Sequence, residues 1–349
     1  MSVTNQITLP ISQASKKVVR CLRAGLVPQV LSAPGLGKSA MVHQIAKELN
    51  LKVIDIRMAQ MDPTEFNGFP SVTEVNGVKQ ASYIPMDIFP LEGTPLPEGK
   101  AGWLMFFDEA TNAPRATQGA AFKVVLDRMI GNAKLHTNVC MVLAGNRIED
   151  MAAANVQVTA MTSRLVHFTL EVDKDDWLKW AMQSGIDKRV IAYIGNFGAE
   201  KLHDFKPENS GPFPCPRAWE MVSRLIKNQE VTSGSHLEEI AGAIGEGPAR
   251  NFLTWIELFD EIPSIEEIVA NPKGAALPTN RGVEWAMATI IGEAINSSNA
   301  DPLITYVKRL EPEMAVIALR LAVAAKGREL LSVKPVTQLL IEHGIEYGQ

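Results

Sequence analysis

The stretch SAPGLGKS, Ser32–Ser39, constrains this chain more than any other. The apolar run VPQVLSA (Val27–Ala33) leads into it and reads as a buried strand. KSAMVHQIAKELN follows, with Met41, Ile45, Ala46 and Leu49 on one helical face and Asn50 as a stop. A strand that turns through glycines into a helix gathers backbone N–H groups at the helix N-terminus, which suits an anion. The phosphate-loop pattern G-x-x-x-x-G-K-[ST] fits from the second position on; Ser32 replaces its first glycine. Ala33, Pro34 and Leu36 fill the loop, and Gly35 and Gly37 let the backbone approach a phosphate. The pattern gives Lys38 the β- and γ-phosphates and Ser39 a Mg²⁺. The first glycine's work is conformational, so a small Ser32 can serve. The competing reading is a Gly-rich turn with no ligand, which the strand–helix context disfavours.

The rest of the first half alternates strands and helices. LKVIDIRMA (Leu51–Ala59), GWLMFFDE (Gly102–Glu109), NVCMVLAGN (Asn138–Asn146) and RLVHFTLEV (Arg164–Val172) read as strands two to five. The third and fourth are nearly all apolar, as strands buried on both faces are. This predicts an α/β sandwich on a parallel five-stranded sheet through residue 172. Asn76-Gly77, inside Ser71–Tyr83, signals a type I′ hairpin inserted between strands two and three. Gly131-Asn132 signals a smaller one before strand four. From DKDDWLKWAMQSG onward the spacing is helical, with Trp177, Trp180 and Ala181 on one face. Pro/Gly-rich breaks at Pro207–Pro216 and Asn271–Gly282 suggest a core over 1–172, a helical lid over 173–275 and a helical region over 276–349.

Charge and composition narrow the classes. A formal net charge of -5 demands no nucleic-acid partner, and the basic stretch SKKVVRCLR (Ser15–Arg23) reads best as the solvated face of a helix. The odd count and wide separation of Cys21, Cys140 and Cys215 do not suggest a zinc or disulfide framework. The polar start lacks a signal-peptide pattern, and no run of about 18 apolar residues occurs, so a cytoplasmic chain without a membrane span is expected.

Two further segments carry chemistry. LMFFDEA ends a buried strand in Asp108-Glu109, paired carboxylates that are costly there unless used. Asp108 suits a Mg²⁺ shell and Glu109 a general base for water. MVLAGN ends at Asn146, whose amide would stand between the loop and the acids if strand four lies between strands one and three.

The succession of SAPGLGKS, LMFFDEATNAP, MVLAGN, TSRLVHF and CPRAWEMVSRL resembles AAA+ ATPases, and among them the MoxR-like group, over residues 10–230. The resemblance implies a P-loop core with a helical lid, ATP and Mg²⁺ as ligands, and a homo-oligomeric ring, commonly a hexamer. It further implies a remodelled protein client, often one with a von Willebrand factor A domain. It makes Arg164 the candidate finger into a neighbour's site, with Arg147 and Arg128 as rivals, and Arg217 the lid's γ-phosphate contact. A finger supplied in trans can be worth roughly 10³–10⁵ in rate. Arg115 comes later than the arginine the family often has after its acids. Tyr83, Phe89 and the Asn76-Gly77 tip are pore candidates by position alone. The same motifs also serve nucleic-acid motors and loaders, and a nucleotide-gated scaffold without turnover; the intact acid pair tells against the last.

Overall fold

The computed structural model describes residues 7–75, 77–150, 162–259, 263–279 and 281–342. Two units form: Met1–Glu171 with Lys206–Glu208, and Val172–Phe205 with Asn209–Gln349.

The first unit runs β1 (Thr8–Leu9), α1 (Ile11–Arg23), β2 (Pro28–Ser32), α2 (Lys38–Glu48), β3 (Leu51–Arg57), α3 (Pro63–Asn67), β4 (Phe69–Val75) and β5 (Val78–Ile84). It continues with β6 (Gly102–Asp108), α4 (Arg115–Asp127), β7 (Met129–Ile130), β8 (Ala133–Lys134), β9 (Val139–Asn146) and β10 (Val166–Leu170). The central sheet has the order β1-β10-β2-β9-β6-β3, and every pair is parallel. All five expected strands form, with the fourth (β9) between the first (β2) and third (β6). β1 is a sixth, two-residue edge strand, paired Thr8↔Thr169 and Leu9↔Leu170. Two residues are too few to show a period, so β1 leaves no trace in the sequence.

Strand alternation makes the layers. Trp103, Met105 and Phe107 of β6 join Met141 and Leu143 of β9 in a core with Phe66 of α3 and Ala121, Val124 and Val125 of α4. Phe106 points the other way, where His43 of α2 meets it edge-on at 6.5 Å. The result is a three-layer αβα domain. α1 buries Ala14, Val18, Val19 and Leu22 and exposes Lys16, Lys17, Arg20 and Arg23, so its basic stretch is a solvated face.

Both expected hairpins occur. β4 and β5 pair antiparallel from Phe69↔Ile84 to Val75↔Val78. Of the turn pair, Gly77 has φ +76° and Asn76 lies outside the described residues. β7 and β8 flank the Gly131 turn. A Cβ on Gly131 would stand 2.7 Å from Asn67 O and 3.1 Å from Tyr83 Cβ, so this turn abuts the base of the larger hairpin. Tyr83 is half exposed at 51%, but Phe89 is 3% exposed and packs on Phe66 at 6.2 Å. Phe89 is a core residue and cannot line a pore.

Among the described residues the second unit is helical throughout. Its longer helices are Lys174–Gln183, Lys188–Phe197, Pro216–Ile226, Ser233–Ile244, Glu246–Phe259, Arg281–Ala294 and Pro312–Lys326. Tyr193 sits in an aromatic cluster, its ring 5.5 Å from Trp219, 5.1 Å from Phe252 and 5.5 Å from Trp255. Gly195 allows helix Arg281–Ala294 to pack closely: a Cβ there would lie 2.3 Å from Trp285 Cζ3. Residues from 173–275 and 276–349 thus contribute to one hydrophobic core. Trp177 and Ala181 are buried in it, whereas Trp180 is exposed and touches Trp177 only at 6.3 Å between ring centres. At three residues from Trp177 it lies about 60° off the buried direction, on the edge of the face rather than within it.

Candidate active site

β2, β9 and β6 are consecutive in the sheet, so their C-terminal ends form one edge. From β2 the chain runs outward to β3 and returns through β6 and β9, then crosses to β10 on the other side of β2. Open parallel sheets bind ligands beyond the strand ends at such a reversal. Ser32, Asn146 and Asp108 are the last residues of the three strands. Ser32 and Asn146 are direct register partners.

The loop between β2 and α2 turns on two glycines with positive φ, Gly35 (+79°) and Gly37 (+89°). Ala33 and Leu36 are buried and anchor it, while Pro34 is half-buried. Gly37 is the N-cap residue of α2 and has no side chain with which to cap it. The first-turn N–H groups of α2 thus face an anion-binding position.

Lys38 Nζ donates to Ser32 Oγ at 2.9 Å and to Asn146 Oδ1 at 3.0 Å. The carbonyls of Ser32 and Ala33 accept at 3.3 and 3.4 Å. Ser32 is fully buried, and its hydroxyl donates to Ala33 O at 2.8 Å. Ser32 is therefore more than a permissive stand-in for glycine, because its oxygen holds the loop lysine. Ser39 Oγ donates to Asp108 Oδ2 at 2.9 Å. The other Asp108 oxygen, Oδ1, accepts from Glu109 N at 2.8 Å. Glu109 is half-buried with φ 55°, a left-handed backbone that directs the chain sharply off the strand end.

The structure thus brings Ser32, Lys38, Ser39, Asp108, Glu109 and Asn146 together. A hydroxyl and a carboxylate in contact are the hard oxygen donors that Mg²⁺ takes beside phosphate oxygens, so Ser39 and Asp108 fit that ion. Among the described residues, no group of three or more His, Cys, Asp or Glu side chains forms a further metal centre.

The arginines part company. Arg128 is committed to the fold: its Nη2 donates to Val139 O at 2.7 Å and His136 O at 3.1 Å. Arg147 pairs with Asp150 through two hydrogen bonds of 2.9 and 2.8 Å and with Glu149 at 3.1 Å. The Asp150 hydrogen bonds hold its guanidinium pKa above the ordinary value. Arg164 is exposed, with its guanidinium 5.7 Å over the Phe122 ring. Arg115 is exposed at the first position of α4. Arg217, in the helical unit, is exposed at the second position of helix Pro216–Ile226. Cys21 and Cys140 are half-buried and Cys215 is buried; burial pushes all three thiols up, which makes them poor nucleophiles.

Sequence reasoning missed Thr111. It is buried, and its hydroxyl accepts from Asn146 N at 2.9 Å and donates to Asn146 O at 3.0 Å. Its only sequence signal is position, two residues past the acid pair.

Residues 30–167 match the model of the ATPase family associated with various cellular activities (AAA), which covers less than half of the chain. No curated protein matches. Among solved structures, the chain is similar to NtrX from Brucella abortus, at 14% identity and TM-score 0.35, over 97% of this chain and 69% of that one. A RuvB mutant from Thermotoga maritima gives 14% identity and TM-score 0.35, over 97% of this chain and 88% of that one. Likenesses of this size carry no functional weight.

Proposed function

We propose that the AAA domain at residues 30–167 binds ATP with Mg²⁺ and hydrolyses it to ADP and phosphate. The observation that carries this reading is the bonded set at one sheet edge: Lys38 to Asn146, Ser39 to Asp108, and Glu109 next in the chain. ATP would take up Lys38 through its β- and γ-phosphates, in exchange for part of the oxygen set that now holds the ammonium. The loop N–H groups and the N-terminus of α2 would bind phosphate oxygens. Ser39 and Asp108 would hold Mg²⁺, which neutralises phosphate charge when bound. Glu109 would take a proton from the attacking water, and Asn146 would orient that water or the γ-phosphate.

The finer reading rests on the motif run and its resemblance to the MoxR-like group. In it the protein forms a ring, commonly hexameric, in which Arg164 reaches a neighbour's γ-phosphate. Residues 173–275 act as the lid and present Arg217, and lid motion remodels a protein client, possible clients including von Willebrand factor A domain proteins. Among the described residues no helix is long and apolar enough to cross a membrane.

Phosphate release and fluorescent-nucleotide binding test the reading together. Lys38→Ala abolishes ATP binding. Glu109→Gln keeps binding and stops turnover; wild-type turnover in Glu109→Gln refutes the assigned base.

A further inference from the structure

We infer that Thr111 is a positioning residue that ties Asn146 to the acid loop and thereby sets the amide that meets Lys38. The inference deepens the ATPase reading and rests on it for its kinetic consequence. β6 ends at Asp108, and the left-handed Glu109 turns the chain away, so β9 outruns its neighbour. The ladder nevertheless continues. Ala110 N donates to Ala144 O at 2.8 Å. Two residues further along β9, the Thr111 hydroxyl serves both backbone groups of Asn146 and acts as the missing rung. Asn112 Oδ1 is a second acceptor for that hydroxyl at 3.3 Å, longer than the 3.0 Å to Asn146 O.

Gly145 makes the approach possible. A Cβ there would stand 2.5 Å from Thr111 Oγ1 and 2.7 Å from its Cγ2. With its backbone held from the β6 side and paired with Ser32 on the β2 side, Asn146 has its side-chain oxygen 3.0 Å from Lys38 Nζ. One hydroxyl thus connects the segment bearing Asp108 and Glu109 to the residue that contacts the loop lysine. Any shift of the acid turn is transmitted to Asn146 through it.

The test compares Thr111→Val, which keeps shape and loses the hydroxyl, with Thr111→Ser, which keeps the hydroxyl. In Thr111→Val, kcat falls about tenfold, the scale of a lost hydrogen bond at its upper end. KM for ATP changes by less than roughly threefold, and Thr111→Ser restores kcat. Gly145→Ala, which displaces Thr111 without altering it, reproduces the Val phenotype. Hydrogen exchange at the Asn146 amide needs no turnover: it accelerates in Thr111→Val and not in Thr111→Ser. Unchanged exchange in Thr111→Val overturns the inference, as does a wild-type kcat in a preparation where Glu109→Gln is inactive. Absence of ATP-dependent phosphate release by the wild type overturns the ATPase reading instead, and leaves the exchange result to decide the role of Thr111.

Discussion

Glu109 carries its carboxylate on a backbone that costs stability, so Glu109→Gly is expected to stabilise the α/β unit while it stops turnover. A non-glycine residue in the left-handed region costs roughly 1–2 kcal/mol. Glycine removes that cost but gives back about 0.5–1 kcal/mol through its greater freedom in the unfolded chain. Glu109 is half-buried at φ 55°, so little side-chain packing is lost. The net gain is about 0–1.5 kcal/mol, centred on about 0.75 kcal/mol, which is roughly 2–3 °C in Tm at the centre for a unit of this size. Calorimetry of wild type, Glu109→Gly and Glu109→Gln measures it. Gln keeps the Cβ and hence the strain, so its Tm matches wild type. Both variants lose phosphate release. A Tm of Glu109→Gly below wild type, with Glu109→Gln unchanged, would refute the claim that this turn stores strain for the sake of the carboxylate.

The other predictions concern the lysine cradle, the helical core and the exposed arginine. Ser32→Ala removes a buried, charge-assisted contact to Lys38 and lowers stability by about 1–2 kcal/mol in urea unfolding; an unchanged midpoint would show that contact to be idle. Gly195→Ala forces a methyl onto Trp285 and destabilises the helical unit by about 1–3 kcal/mol, which also identifies that unit's calorimetric transition. Arg164→Ala keeps nucleotide binding and lowers turnover by roughly 10³. Mixing it with Glu109→Gln restores part of the activity if the arginine acts in trans, and no recovery counts against that placement.

The sequence displays whatever repeats with a period or stands in a short motif. β6 and β9 are legible because burial on both faces makes them continuously apolar. The loop, Asp108-Glu109 and Asn146 are legible because each closes a strand with residues a strand end does not otherwise need. β1 is invisible at two residues, since pairing with β10 and not periodicity creates it. Phe89 reads as a loop aromatic until Phe66 is placed beside it. Arg128 reads as a free cation until two carbonyls appear around it. Thr111 is missed because its work is done on a residue distant in the chain, Asn146, 35 positions away.

The placement of the tryptophans has a spectroscopic consequence. Of the six, Trp177, Trp180, Trp219, Trp255 and Trp285 belong to the helical unit, and Trp103 alone belongs to the α/β unit. Emission during unfolding therefore follows the helical unit almost entirely. Trp103 is the second residue of β6, five residues and roughly 17 Å of strand from Asp108. It is buried beside His136 at 5.1 Å between rings. Its emission can report melting of the α/β unit with little direct response to a bound nucleotide, and a Trp103→Phe chain would remove tryptophan emission from that unit.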